Sequence, residues 1–124
     1  MIAPIEETYK DVFVYQEREE KITPKEYLYR QLFLQGKVNS YWLLSTIGSL
    51  ESGWYEGARN PRSSAKGIFQ IIDGTWRFFD CEGSPLNGLN NVDCALKIYH
   101  ANGIKDWCAD REMVRRLGYE GIKC

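Results

Sequence analysis

Four cysteines, Cys81, Cys94, Cys108 and Cys124, stand in the second half of a 124-residue chain, separated by 12, 13 and 15 intervening residues. No feature narrows the possible folds more. No Cys-x-x-Cys occurs and the single histidine is His100, so the ligand spacing of a zinc site is missing and neither metal nor cofactor is expected. An even count without metal spacing predicts two disulfides, with three connectivities open on paper. Loops of this size would each contribute on the order of 3 kcal/mol if unstrained, and they require an oxidising compartment. The expected location is therefore extracytoplasmic: secreted, periplasmic or virion-associated.

With 44% hydrophobic and 27% charged residues, the chain has the composition of one globular domain and no room for a second. Its formal net charge is -1 and it has no block of Lys and Arg, so neither nucleic acid nor an anionic membrane surface is an expected partner. No apolar run approaches the ~20 residues that span a bilayer. Residues 1–22 are acidic rather than basic-then-apolar, unlike a signal peptide. They form an expected N-terminal arm or helix, with Tyr9, Val12, Phe13 and Gln16 at helical spacing, although Val12 to Tyr15 reads equally well as a short strand. No chemistry is assigned to this arm. Residues 23–124 form the expected functional domain, monomeric in isolation.

Helix signals recur through that domain. Thr23-Pro24-Lys25-Glu26 combines a capping Thr, a Pro at the first helical position and a Glu three residues on, so a helix should run from there to about Gln35. Leu28 and Leu32, with Tyr29 and Phe33, are its expected buried stripe. Asn39 or Ser40 should cap a second helix, in which Gly48 costs roughly 1 kcal/mol against Ala unless another backbone passes close by. Asp73 can cap a short helix over residues 74–79 with Trp76 and Phe79 inward. A further helix is predicted over residues 91–101, with Val92, Ala95, Leu96 and Tyr99 on one face and Asn102-Gly103 as its stop. Asp110 should cap a last helix through Leu117, with Met113, Val114 and Leu117 inward and Gly118 ending it. The fold class is mainly α.

The second helix carries the strongest chemical signal. Leu44, Ile47 and Glu51 share one helical face, with Ser45, Ser49 and Ser52 opposite. A carboxylate at the mouth of an apolar face has its charged form disfavoured by desolvation, which raises its pKa and keeps a proton available near neutral pH. Glu51 is accordingly the candidate general acid. From Gly53 to Gly67 the chain has loop composition and must fold back over Glu51.

Four pieces in order, Glu51-Ser52-Gly53, Asn60-Pro61, Ser63-Ser64-Ala65-Lys66-Gly67-Ile68-Phe69-Gln70-Ile71 and Thr75-Trp76, resemble the core of the lytic transglycosylase and goose-type lysozyme superfamily. The wording is closest to phage-encoded members, and direct coverage is about a quarter of the chain. The resemblance implies a lysozyme-like helical fold and cleavage of the β-1,4 bond between N-acetylmuramic acid and N-acetylglucosamine in peptidoglycan, with Glu51 as general acid and Gln70 near it on the substrate. Ser64 would stand beside the cleft, on Glu51, on a sugar or in a turn. Trp54 and Tyr55 are either sugar-stacking platforms or core aromatics, and Glu56 a surface charge. Asn91-Val-Asp-Cys-Ala-Leu-Lys-Ile98, followed by Gly103 and Trp107, is similar to the Asn-Cys-Ala-Lys-Lys-Ile helix of animal lysozymes, which favours Cys81 with Cys94 and leaves Cys108 with Cys124. Tyr99-His-Ala-Asn-Gly103 echoes a later family motif, making Tyr99 a substrate-binding candidate, but the two alignments place Tyr99 differently.

Glycoside cleavage needs a proton for the leaving oxygen and a means of stabilising the cationic sugar. Asp73 is the candidate second carboxylate, set against its capping role. Transglycosylases of this superfamily manage with one acid because the muramyl 6-hydroxyl is the nucleophile, so a 1,6-anhydromuramic acid product is expected. The alternative is a glycan- or protein-binding module that kept the scaffold and lost the reaction.

Overall fold

The computed structural model describes residues 21–124, so the expectations for Tyr9, Val12, Phe13 and Gln16 lie outside the described residues. Five α-helices follow one another there: α1 (Pro24–Leu34), α2 (Tyr41–Ser52), α3 (Asp73–Phe78), α4 (Gly88–Asn102) and α5 (Arg111–Tyr119), with 3-10 turns at Val38–Ser40 and Lys105–Cys108. The domain is mainly helical. Among the described residues β pairing is confined to isolated antiparallel bridges, Arg59 with Lys66 and Lys66 with Ile71. No helix of the described residues is long and apolar enough to cross a membrane.

Helix α1 starts as its sequence dictates: Thr23 is extended, its side chain accepts a hydrogen bond from the Glu26 amide at 3.2 Å, and Pro24 opens the first turn. Leu28 and Leu32 are fully buried against α2 and α4. The wider stripe is corrected, because Tyr29 and Phe33 are 47% and 65% exposed. Each follows a buried Leu by one position, about 100° around the helix, and the neighbouring helices cover only the Leu row. Tyr29 instead lies edge-on to Tyr41, with ring centroids 5.2 Å apart.

Ser40 precedes α2 but caps nothing with its side chain. It has helical φ and ψ because a 3-10 turn runs straight into the helix, and its hydroxyl pairs with the Tyr99 hydroxyl at 3.0 Å. The close neighbour of Gly48 is a side chain rather than a passing backbone, since a Cβ there would lie 2.8 Å from the Trp54 indole. Gly53 ends α2 in the left-handed region.

Helix α3 begins one residue earlier than expected, with Ile72 rather than Asp73 in the capping position; Trp76 and Phe79 pack against the core. Helix α4 also starts early, where Asn87 accepts from the Asn90 amide at 3.0 Å. A second first-turn amide, that of Gly88, donates to Glu56 at 3.0 Å, so Glu56 satisfies a helix end instead of being a free surface charge. Asp110 caps α5 through the Glu112 amide. That helix runs through Gly118 to Tyr119, and Val114 is 38% exposed, so neither the expected stop nor the full inward face is realised.

The two disulfides are Cys81–Cys94 and Cys108–Cys124, with no free cysteine. The first fastens the segment after α3 to α4, and the second ties the 3-10 turn carrying Trp107 to the last residue. The core they flank is built from Leu28, Leu32, Leu44, Ile47, Ile68, Phe69, Val92 and Leu117, all fully buried. Asn91 is buried among them and is the buried polar residue of the described core.

Candidate active site

Glu51 lies in the last turn of α2, half-buried, where the apolar face that carries Leu44 and Ile47 runs out of core to cover it. It opens onto a cleft of about 380 Å3 lined by Gln70, Ile71, Ile72, Thr75, Ile98, Asp106, Trp107 and Ala109. No donor among the described residues makes a hydrogen bond to its carboxylate. Burial is the main cause that pushes the Glu51 pKa from 4.5 up to about 7; the negative charge of Asp110 adds to the rise and Arg116 opposes it. A carboxyl group in this state is half protonated at neutral pH, as a proton donor requires.

The wall facing Glu51 is irregular in backbone yet tied at nearly every residue. Ser52 donates to the Ile68 carbonyl at 2.8 Å, and Trp107 donates its indole N–H to the Phe69 carbonyl at 2.9 Å. The Phe69 amide donates to Asn91 Oδ1 at 2.8 Å, while Asn91 Nδ2 donates to the carbonyls of Lys66 and Pro85. Gly67 makes this possible: at φ +80° a Cβ would stand 2.3 Å from both Asn91 and the Pro85 carbonyl. Gln70 follows with φ +51°, its amide donating to the carbonyls of Gly67 at 2.8 Å and Ala58 at 3.3 Å. A non-glycine residue held in the left-handed region is uncommon, and here those two bonds fix the side chain at the cleft beside Glu51.

Ile71 and Thr75 of the quoted motif pieces also line this cleft, but of the other candidate substrate-binding or catalytic residues the structure brings none into its lining. Trp54 takes the core alternative: its ring covers Gly48, lies edge-on to Phe69 at 5.6 Å and donates to the Ser45 carbonyl at 2.9 Å. Tyr55 is 65% exposed. Ser64 accepts from the Asp73 amide at 2.9 Å, a turn role rather than a contact with Glu51. Tyr99 is engaged by Ser40, and His100 contacts Lys37 and Gln35. Asp73 is ion-paired with Lys66 at 2.7 Å, and that hydrogen bond holds its carboxyl below the ordinary range. It belongs to a neighbouring cleft.

Sequence reasoning missed the opposite wall. Asp106 and Trp107 arrive on the 3-10 turn after α4, and Asp110 acts on Glu51 from the start of α5. Asp106 accepts from Asn102 at 3.1 Å, and Asp110 is occupied as a helix cap. Of these, Trp107 is named from sequence only within the stretch similar to animal lysozymes, with no role at the cleft. The finished cleft has apolar walls of Ile71, Ile72, Ile98 and Trp107, with polar groups from Gln70, Thr75 and Asp106. No family model, curated protein or solved structure matches this chain.

Proposed function

We propose that this chain is a peptidoglycan-cleaving glycosidase with a lysozyme-like fold, acting on the β-1,4 bond between N-acetylmuramic acid and N-acetylglucosamine with Glu51 as general acid. The observation that carries this reading is the state of Glu51: half-buried, free of hydrogen bonds from the described residues, with a pKa of about 7 in a mainly apolar cleft that it shares with Gln70, Thr75 and Asp106. Structural carboxylates are paired or capped, as Glu56 and Asp73 are here; Glu51 is neither, and its burial carries an energetic cost. Gln70, held at the same cleft by two hydrogen bonds, is positioned to bind an acetamido or hydroxyl group. Two disulfides suit a protein working in an oxidising space, where the wall lies.

In the reaction, Glu51 donates its proton to the glycosidic oxygen as the C1–O bond breaks, and the muramyl 6-hydroxyl attacks C1, returning its proton to the Glu51 carboxylate. The product is a 1,6-anhydromuramic acid end. Mass spectrometry of soluble fragments released from purified cell walls tests the reading. Release of disaccharide-peptides by the wild type and not by Glu51→Gln supports it; no release by the wild type means a binding module on the same scaffold.

A further inference from the structure

A second cleft, of about 320 Å3, lies on the other side of α3. The helix is a shared wall. Ile72 and Thr75, three apart, line the Glu51 cleft, whereas Asp73, Trp76 and Arg77, at spacings of three and four, line this one. The opposite wall is shared in the same way: Lys66 lines the second cleft, and its bridge partner Ile71 lines the first. The two cavities are thus about one helix diameter apart, roughly 10 Å.

Their charge differs. Arg59, Lys66 and Arg77 line the second cleft with one carboxylate, Asp73, which is spent on Lys66 at 2.7 Å. Arg59 and Arg77 are exposed and make no side-chain hydrogen bond or ion pair with a described residue. Two uncommitted guanidinium groups face one small cavity in a protein of net charge -1. Guanidinium forks match carboxylates in geometry and charge. Beside them Trp76, Pro85 and Leu86 offer apolar surface.

We infer that the Arg59–Arg77 cleft binds the acidic peptide stem of the peptidoglycan strand whose glycan occupies the Glu51 cleft. This rests on the glycosidase reading above. The glycan backbone of peptidoglycan is uncharged apart from modifications, because the lactyl carboxyl of each muramic acid is used in the amide bond to its stem. Negative charge resides in the stems, as free carboxylates among alanine methyl groups, the chemistry that two guanidiniums beside Trp76 and Leu86 accept. A stem leaves the muramic acid next to the bond being broken, so a receptor one helix width from the acid is within its reach. A nucleic acid would need a longer basic track than this cavity supplies.

The test compares kcat/KM on un-cross-linked strands carrying stems with the same strands after an amidase has removed them and each lactyl carboxylate so freed has been capped as its methylamide, for wild type and for Arg59→Gln/Arg77→Gln. The double substitution is at exposed sites, and its melting curve checks that it folds. The expected result is a loss of about tenfold on intact strands, expressed in KM, with no change on stripped strands; the wild type loses a similar factor when the stems are removed. Equal activity of variant and wild type on intact strands, or an equal loss on both substrates, overturns the stem site. A wild type that cleaves both strands equally well removes the stem site and leaves the glycosidase standing, whereas one that cleaves neither removes both. If the variant melts lower than wild type, Arg77→Lys is used, which keeps the charge and removes the fork: an intermediate KM on intact strands alone is expected, and a wild-type KM overturns the proposal.

Discussion

Ser52 donates its hydroxyl to the carbonyl of Ile68 at 2.8 Å, across a sequence separation of 16. The residue after Glu51, the proposed general acid, is thereby bonded to the segment that carries Gln70. The loop between them is closed at its two ends by this bond, and from within it the Ala58 and Gly67 carbonyls hold the Gln70 side chain.

Glu51→Gln should lower cell-wall cleavage by at least about 100-fold, the range for loss of a general acid. In the wild type, activity should fall as pH rises through about 7, where Glu51 loses its proton. Turnover measured from pH 4 to 9 checks this, and a rate that keeps rising above pH 8 would assign the proton to another group.

The same residue makes stability depend on pH. Its folded pKa is raised to about 7 from 4.5, so between those values the native state holds a proton that the unfolded chain releases. The contribution is fully present below about 4.5 and is lost as pH rises through 7. Glu51→Gln should therefore melt close to wild type at pH 4.5 and a few degrees above it at pH 8. Parallel melting curves that never separate would contradict the burial of Glu51.

Gly48→Ala tests the contact between α2 and Trp54. Helix propensity alone favours Ala by about 1 kcal/mol, but the new methyl would stand 2.8 Å from an indole fixed by Ser45 and Phe69. Overpacking of this kind costs about 1–3 kcal/mol, so a net destabilisation is expected in denaturant titrations. In a Trp54→Leu background the same substitution should become neutral or stabilising.

Cleavage in heavy-oxygen water should leave the new muramic acid ends unlabelled. Hydrolysis needs a carboxylate to activate water or to form a glycosyl intermediate, and the candidates are committed elsewhere: Asp73 to Lys66, Asp110 to the Glu112 amide, Asp106 to Asn102. Label at those ends would make the enzyme a hydrolase and point to Asp106, the carboxylate that shares the Glu51 cleft.

Local signals carried much of the fold. Thr23-Pro24 and Asp110 mark helix starts through a bond between residues two or three apart, and such bonds are legible wherever donor and acceptor are close in sequence. The face of Glu51 follows from periodicity alone. What periodicity does not give is how wide a strip the neighbours cover, which is why Tyr29, Phe33 and Val114 are exposed. Long-range partners were also hidden: Glu56 reaches Gly88 over a separation of 32 and Trp107 reaches Phe69 over 38. At the candidate site, the helical periodicity of residues 44–51 places Glu51 on the apolar face, whereas Gln70 is singled out only through the resemblance of its segment; the two share one cleft. The place of Asp106 and Trp107 at the cleft was not legible, since the other wall comes from a turn that follows α4 and is tied by the Cys108–Cys124 bond.

Asn91 has a consequence for hydrogen exchange. The Phe69 amide belongs to no helix or strand, a kind of backbone that ordinarily exchanges with solvent in local fluctuations. Its acceptor is a fully buried side chain on α4, and the Phe69 carbonyl is held by a buried indole. Deuterium can therefore reach that amide only when α4 lets go, and the wall of the cleft should exchange at the pace of the helix behind it rather than of the loops it resembles.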